Sequence, residues 1–166
     1  MEKENKVIAQ IIQRFPVLEE RINIKQPLCL VMRPLVRRDF EKVFYFVTHD
    51  MDFDFLHVII GVDEGSDIMI IYTLSNHDKV TLMLKEKVSK GNPLIKSVCD
   101  QFPSAYWYER ELMDMFGLVL EGIPEGPRYP LPDNWPAGNH PLRKEWDSEC
   151  FDLQQMAYKA ENQPLM

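Results

Sequence analysis

The chain has 166 residues and a formal charge of −7, from 19 Lys and Arg against 26 Asp and Glu. That length favours a single domain with a core of its own, and that charge argues against unaided binding to nucleic acid, whose phosphates an acidic surface repels. The three cysteines, Cys29, Cys99 and Cys150, are too widely spaced for a disulfide framework or a paired metal site, and they fit a reducing compartment.

The first residues, Met1-Glu2-Lys3-Glu4-Asn5-Lys6, lack the apolar run and small-residue cleavage site of a secretory signal. They lead into a helix over residues 5–15, where Val7, Ile8, Ile11, Ile12 and Phe15 form one apolar stripe and Pro16 closes it. Residues 27–32 read as a short strand ended before Pro34. Residues 37–48 return to helical spacing, with Phe40, Val43, Phe44 and Val47 on one face. Three strand-like runs follow at 55–62, 67–74 and 79–88, joined by Asp63-Glu64-Gly65-Ser66 and Ser75-Asn76-His77-Asp78 as hairpin turns. In the last run Val80, Leu82 and Leu84 alternate with Thr81, Met83 and Lys85, which predicts one packed face and one wet face. The longest strongly apolar run, Ile68-Met69-Ile70-Ile71-Tyr72, is far short of the roughly 20 residues that span a bilayer.

Asn92-Pro93 predicts the start of a further helix carrying Leu94, Ile95, Val98 and Phe102, broken by Pro103. Ser104 is placed to cap another helix, over residues 105–116, with Gly117 as its left-handed stop. The first 116 residues are therefore expected to form an α+β domain, a small mixed and partly antiparallel sheet flanked by helices. Residues 117–141 then bring six prolines and four glycines, which exclude regular helix or sheet interior. Tyr129, Leu131, Trp135 and Leu142 make this stretch too apolar for a free linker. An extended arm over residues 117–146, lying on another surface, satisfies both facts. Residues 147–166 read as a polar tail with at most one short helix.

No independent chemistry is encoded. Asp50-Met51-Asp52-Phe53-Asp54 imitates the opening of an EF-hand loop, but Phe55 stands where that loop needs Gly and Gly61 where it needs Glu. His49, His57, His77 and His140 have no metal-ligand spacing, and nucleophile-elbow, P-loop and dinucleotide motifs are absent. Cys99 has no base that the sequence positions beside it and reads as a packing residue. No catalytic, cofactor-binding or metal-ligating residue is therefore assigned.

The unusual segment is Tyr106-Trp107-Tyr108-Glu109-Arg110-Glu111-Leu112-Met113-Asp114-Met115-Phe116-Gly117. On a helix Arg110 and Asp114 are neighbours one turn apart, and Tyr106, Arg110 and Met113 share a face. The plain reading is a surface helix with one salt bridge, a contribution of a few tenths of a kcal/mol. Aromatic residues, Met and Arg are also the types enriched at protein interfaces, and the adjoining arm ends in Pro141-Leu142-Arg143-Lys144-Glu145-Trp146.

That helix, followed by Gly122, Pro124 and Arg128, then Leu131-Pro132-Asp133-Asn134-Trp135 and Pro141-Leu142-Arg143-Lys144-Glu145, resembles the 30 kDa subunit of respiratory complex I. This is the C subunit of bacterial NADH–quinone oxidoreductase, with relatives in membrane-bound group 4 nickel–iron (NiFe) hydrogenases and formate hydrogenlyases. Phe53-Asp54-Phe55-Leu56 and Gly61-Val62-Asp63 also look like the family's first central strand, and the likeness covers residues 5–146. The resemblance implies a cofactor-free accessory subunit whose arm wraps a large catalytic subunit. The NiFe centre and iron–sulfur clusters are then expected in that partner, in a small iron–sulfur subunit and in a ferredoxin-like iron–sulfur subunit, at the cytoplasmic face of the membrane. Tyr106, Trp107, Glu109, Arg110, Glu111, Asp114, Phe116, Arg128, Trp135, Pro141, Leu142, Arg143 and Lys144 become expected intersubunit or arm-anchoring contacts. Two departures help choose a branch. Ile123 stands where the complex I pattern G-H-P-D-L-R-R has His, and the stretch from Trp135 to Pro141 is two residues longer than complex I members tend to have. That spacing looks more like the hydrogenase branch; the C subunit of a complex I-type NADH or ferredoxin dehydrogenase is the alternative. A stand-alone enzyme and a generic interaction module are the readings outside the family.

Overall fold

The structure is a computed structural model that describes residues 1–149 and 151–158. Helix α1 (Glu2–Arg14) opens with Glu2 and Glu4 near its positive end and buries Val7 and Ile11. A 3-10 turn (Pro16–Arg21) carries the chain into β1 (Ile22–Gln26) and β2 (Cys29–Met32), an antiparallel hairpin. Its turn is tight enough to hold Leu28 at φ 59, and the Leu28 N–H donates to Glu4 Oε1 at 2.8 Å. The short β3 (Leu35–Val36) precedes α2 (Arg37–Asp50), and then β4 (Phe55–Asp63), β5 (Asp67–Ser75) and β6 (Thr81–Ser89) form an antiparallel meander. The hairpin chemistry is as the turn residues predict: Asp63 Oδ1 accepts from the Gly65 N–H and Asn76 Oδ1 from the Val80 N–H.

The sheet runs β1-β2-β6-β5-β4, with β3 also on the β2 side of β6. Because β2 and β3 pair with β6 in parallel while the meander is antiparallel, the sheet is mixed. Its helix-facing rows include Leu30, Ile70, Tyr72, Leu74, Leu82 and Leu84, all fully buried. Each such side chain contributes about 1.5–3 kcal/mol. From α2, the Phe40 and Phe44 rings lie 4.8 and 5.6 Å from that of Tyr72. Among the described residues no helix lies across the opposite face: Val31, Val58, Ile71 and Met83 are half-buried, and Ile60 and Val62 are exposed.

Two expectations need correction. No helix starts at Asn92-Pro93; instead Leu94–Lys96 is strand β7, paired in parallel with β8 (Val119–Glu121) at the start of the segment expected to form the extended arm. A helical ladder cannot build there because the Val98 N–H goes to Glu109 Oε1 and the Cys99 N–H to Ser97 Oγ, leaving a single turn at Val98–Phe102. Helix α3 (Ala105–Phe116) has the expected bounds, but Ser104 makes no capping hydrogen bond and is itself in the right-handed region; backbone bonds from Ala105 to Phe102 and from Tyr106 to Pro103 start the helix. The described part of the tail holds no helix: β9 (Phe151–Asp152) and β10 (Ala157–Tyr158) pair as a small hairpin. Cys150 and residues 159–166 lie outside the described residues.

Candidate interaction surface

Helix α3 packs on β4 through Leu112 and Phe116, against the bare backbone of Gly61, where an added Cβ would lie 2.5 Å from the Phe116 ring. Its C-terminus is closed by Gly117 at φ 67, the left-handed position that a side chain disfavours, with the Gly117 and Leu118 N–H groups returning to Met113 and Leu112. The exposed carbonyls at that end are then taken by the arm. His140 Nδ1 bonds the Asp114 carbonyl at 2.9 Å, the Leu142 N–H bonds that of Met115 at 3.1 Å, and the Arg143 guanidinium donates to Phe116 (2.7 Å) and Gly117 (3.4 Å). A cation and two further donors at the negative end of a helix satisfy both its orphan acceptors and its dipole.

Three of the four charged residues of α3, Glu109, Arg110 and Asp114, are engaged inside the chain. Glu109 is fully buried: Oε2 accepts from Ser97 Oγ (2.6 Å) and Cys99 Sγ (3.1 Å), and Oε1 from the Val98 N–H (2.7 Å). Burial raises its pKa against those three donors, and burial likewise pushes the Cys99 thiol up to about 11, which leaves it an unreactive packing group. Asp114 does not pair with Arg110. It accepts from Arg128 Nε (2.9 Å) and the Leu131 N–H (3.1 Å), while Arg128 also donates to the Trp135 carbonyl (2.7 Å). Arg110 instead lies over the Tyr106 ring, 5.1 Å from its centroid, and donates to the Pro124 carbonyl (2.6 Å).

The arm thus folds back along α3. An added Cβ at Gly126 would collide with the Tyr106 hydroxyl, so any larger residue there must displace that ring or the arm. Trp135 is buried against Phe151 (4.9 Å) and Trp146 (6.2 Å). The far end is held by Asp63, whose Oδ2 takes the Lys90 ammonium (2.6 Å) and the Lys144 N–H (2.8 Å); Lys90 also pairs with Glu145. Burial raises the Asp63 carboxyl, but Lys90 and the backbone donors of Lys144 and Gly65 outweigh it and hold the pKa at about 2.

Of the expected contacts, Glu109, Asp114, Phe116 and Trp135 are therefore buried within the chain, and Arg128 and Arg143 are engaged in holding the arm. Tyr106, Arg110, Glu111 and Pro141 are half-buried, Lys144 is exposed, and Trp107 and Leu142 are about half exposed. Trp107 meets the exposed Tyr129 edge to face at 5.0 Å. Asp63, Lys90, His140 and Tyr129 take part in this unit without having been among the expected contacts, although Tyr129 and His140 lie in the expected arm. The Asp-Glu-Gly-Ser turn signal had already accounted for Asp63, and a lone histidine or lysine carries no pattern. Among the described residues no group of three or more His, Cys, Asp or Glu is placed to hold a metal ion, and no helix is long and apolar enough to cross a membrane.

The family model described as respiratory-chain NADH dehydrogenase, 30 kDa subunit, matches residues 35–151, a span that includes α2, the meander, α3 and the arm. Hydrogenase-4 component G of Escherichia coli is 32% identical over 84% of the chain, which spans only 26% of that protein. The C subunit of the F(420)H(2) dehydrogenase of Methanosarcina mazei is 30% identical over 85% of the chain and 90% of its own length. Among solved structures, a chain of the membrane-bound sulfane sulfur reductase, an archaeal respiratory membrane complex, shares the fold with a TM-score of 0.72 at 24% identity, covering 88% of this chain and 86% of that one.

Proposed function

The chain belongs to the 30 kDa subunit family of respiratory-chain NADH dehydrogenase, and from that premise we propose that it is a cofactor-free accessory subunit of a membrane-bound redox complex. In this reading it docks on and stabilises the large catalytic subunit of a group 4 NiFe hydrogenase, at the cytoplasmic face. The nickel–iron centre and iron–sulfur clusters reside in that subunit and in its small and ferredoxin-like iron–sulfur partners. The observation that carries the reading is the α3–arm unit. Its polar groups are mostly satisfied internally, yet Trp107 and Tyr129 remain outside as a touching aromatic pair, the residue type that anchors protein interfaces. The similarity to hydrogenase-4 component G and the long Trp135-to-Pro141 spacing favour the hydrogenase branch.

A second reading, the C subunit of a complex I-type dehydrogenase, is favoured by one fact: the F(420)H(2) dehydrogenase C subunit matches the chain about as well as the hydrogenase component does, at 30% against 32% identity. Affinity purification of the tagged chain from gently solubilised membranes separates them. Nickel in the eluate with hydrogen-dependent viologen reduction supports the hydrogenase reading. Iron without nickel, with electrons accepted from NADH, reduced ferredoxin or F420H2, moves the chain to the dehydrogenase branch. Recovery of the bare chain overturns both.

A further inference from the structure

On β6 the residues facing the helices are Leu82, Leu84, Glu86 and Val88, so one carboxyl stands in an otherwise apolar row. Glu86 is 1% exposed, and its Oε1 has no hydrogen-bond partner among the described residues. The Tyr72 hydroxyl, one strand away in the same layer, is likewise buried and unpartnered. Burying polar atoms without partners costs stability, and Leu or Met would fill position 86 at no such cost.

Glu86 lines an open pocket of about 440 Å3 between α2 and the segment that follows β7, within the size range of small-ligand sites. Phe40, Phe44 and Tyr45 supply aromatic walls, and Glu41 and Asp100 add two further carboxylates. Lys96 is the one Lys or Arg among the described lining residues, and Glu41 is already paired with Arg37 at 2.8 Å. An anion would meet net negative charge here. A neutral apolar ligand would leave the Glu86 oxygen unsatisfied. A cation on an apolar stem satisfies the carboxyl while its stem lies among the aromatic side chains, and a flat guanidinium suits such surroundings best because it packs on aromatics while donating in its own plane.

We infer that this pocket binds an organic cation of guanidinium or ammonium type, with Glu86 as its anion and Phe40 and Phe44 as its walls. The binding itself does not depend on membership of a redox complex; only the identification of its source rests on that reading. Titration of the full-length chain with ethylguanidinium at pH 8, followed by amide NMR, tests it. The expected result is a saturable shift at Val98, Gln101 and the β6 amides. N-ethylurea, of the same shape but uncharged, should bind at least about tenfold more weakly, and Glu86→Gln should weaken ethylguanidinium by a similar factor. Absence of a saturable shift, equal binding of the urea, or full binding by Glu86→Gln would each overturn it; the urea comparison uses the unaltered chain and needs no variant to fold. A photo-crosslinker at Gln101 in the purified complex identifies the source. An adduct on an Arg- or Lys-containing peptide of another subunit means a protein side chain, and no adduct with ethylguanidinium binding retained means a free small cation; either source satisfies the cation assignment.

Discussion

Glu86→Gln should change how stability depends on pH, in a direction fixed by the structure. Burial pushes the Glu86 carboxyl from an ordinary value of 4.5 to about 7, with Arg37 opposing the shift and Glu41 adding to it. Between those two pH values the folded chain keeps the proton that the unfolded chain has released, so folding becomes less favourable as pH rises. The stabilisation is fully present below pH 4.5 and lost by about pH 7, a change of about 3 kcal/mol at roughly 1.4 kcal/mol per pH unit. Glu109 is also raised, by burial, and contributes in the same direction, so the variant must be subtracted from the unaltered chain to isolate Glu86. Glu4 and Asp63, each held at about 2, act in the opposite sense at lower pH: their contribution is present above the ordinary carboxylate range and lost as pH falls toward 2. Urea unfolding of both proteins from pH 4 to 8 measures the difference. The Glu86→Gln variant should be more stable than the unaltered chain above pH 7 and should converge with it near pH 4.5. Parallel curves across that range would refute the buried, unpartnered carboxyl.

Asp63→Asn should cost about 2 kcal/mol in urea unfolding at pH 7, because the Lys90 ammonium and the Lys144 N–H both lose a charged acceptor; an unchanged midpoint would show that the arm is not held there. Gly126→Ala should cost about 1–3 kcal/mol through collision with the Tyr106 hydroxyl. Tyr106→Phe in the same chain should recover part of that loss, and additive costs would argue against this contact. Arg143→Glu should place an anion at the negative end of α3, costing about 1 kcal/mol; it should also speed hydrogen exchange at the Gly117 and Leu142 amides, and unaltered protection there would contradict the cap.

Much of this fold was legible because its strongest signals are periodic. The meander, α2 and α3 each combine a run of one period with turn or stop residues at both ends. Strand β1 was missed because an edge strand with only Ile22 and Ile24 to alternate carries too little pattern. The segment after Asn92 was misread because Leu94, Ile95, Val98 and Phe102 suit a helix, while the fact that decides against it is a tertiary one, the Glu109 carboxylate taking the Val98 N–H. The same error hid the role of Glu109, whose three partners all come from that segment. The expected Arg110–Asp114 pair shows a related lesson: helical spacing permits the contact, but Arg128 and the Leu131 backbone compete for the carboxylate and win. Glu86 was within reach of the sequence, since the alternation of Val80, Leu82 and Leu84 places position 86 on the packed face.

The most direct test of docking through the α3–arm unit is the double substitution Trp107→Ser with Tyr129→Ser, followed on a native gel of solubilised membranes. Both side chains are exposed and their removal leaves the Glu109, Asp114 and Arg143 contacts in place. The account predicts a chain with unaltered urea stability that no longer migrates with the catalytic subunit. A variant that stays fully incorporated in the complex would contradict it.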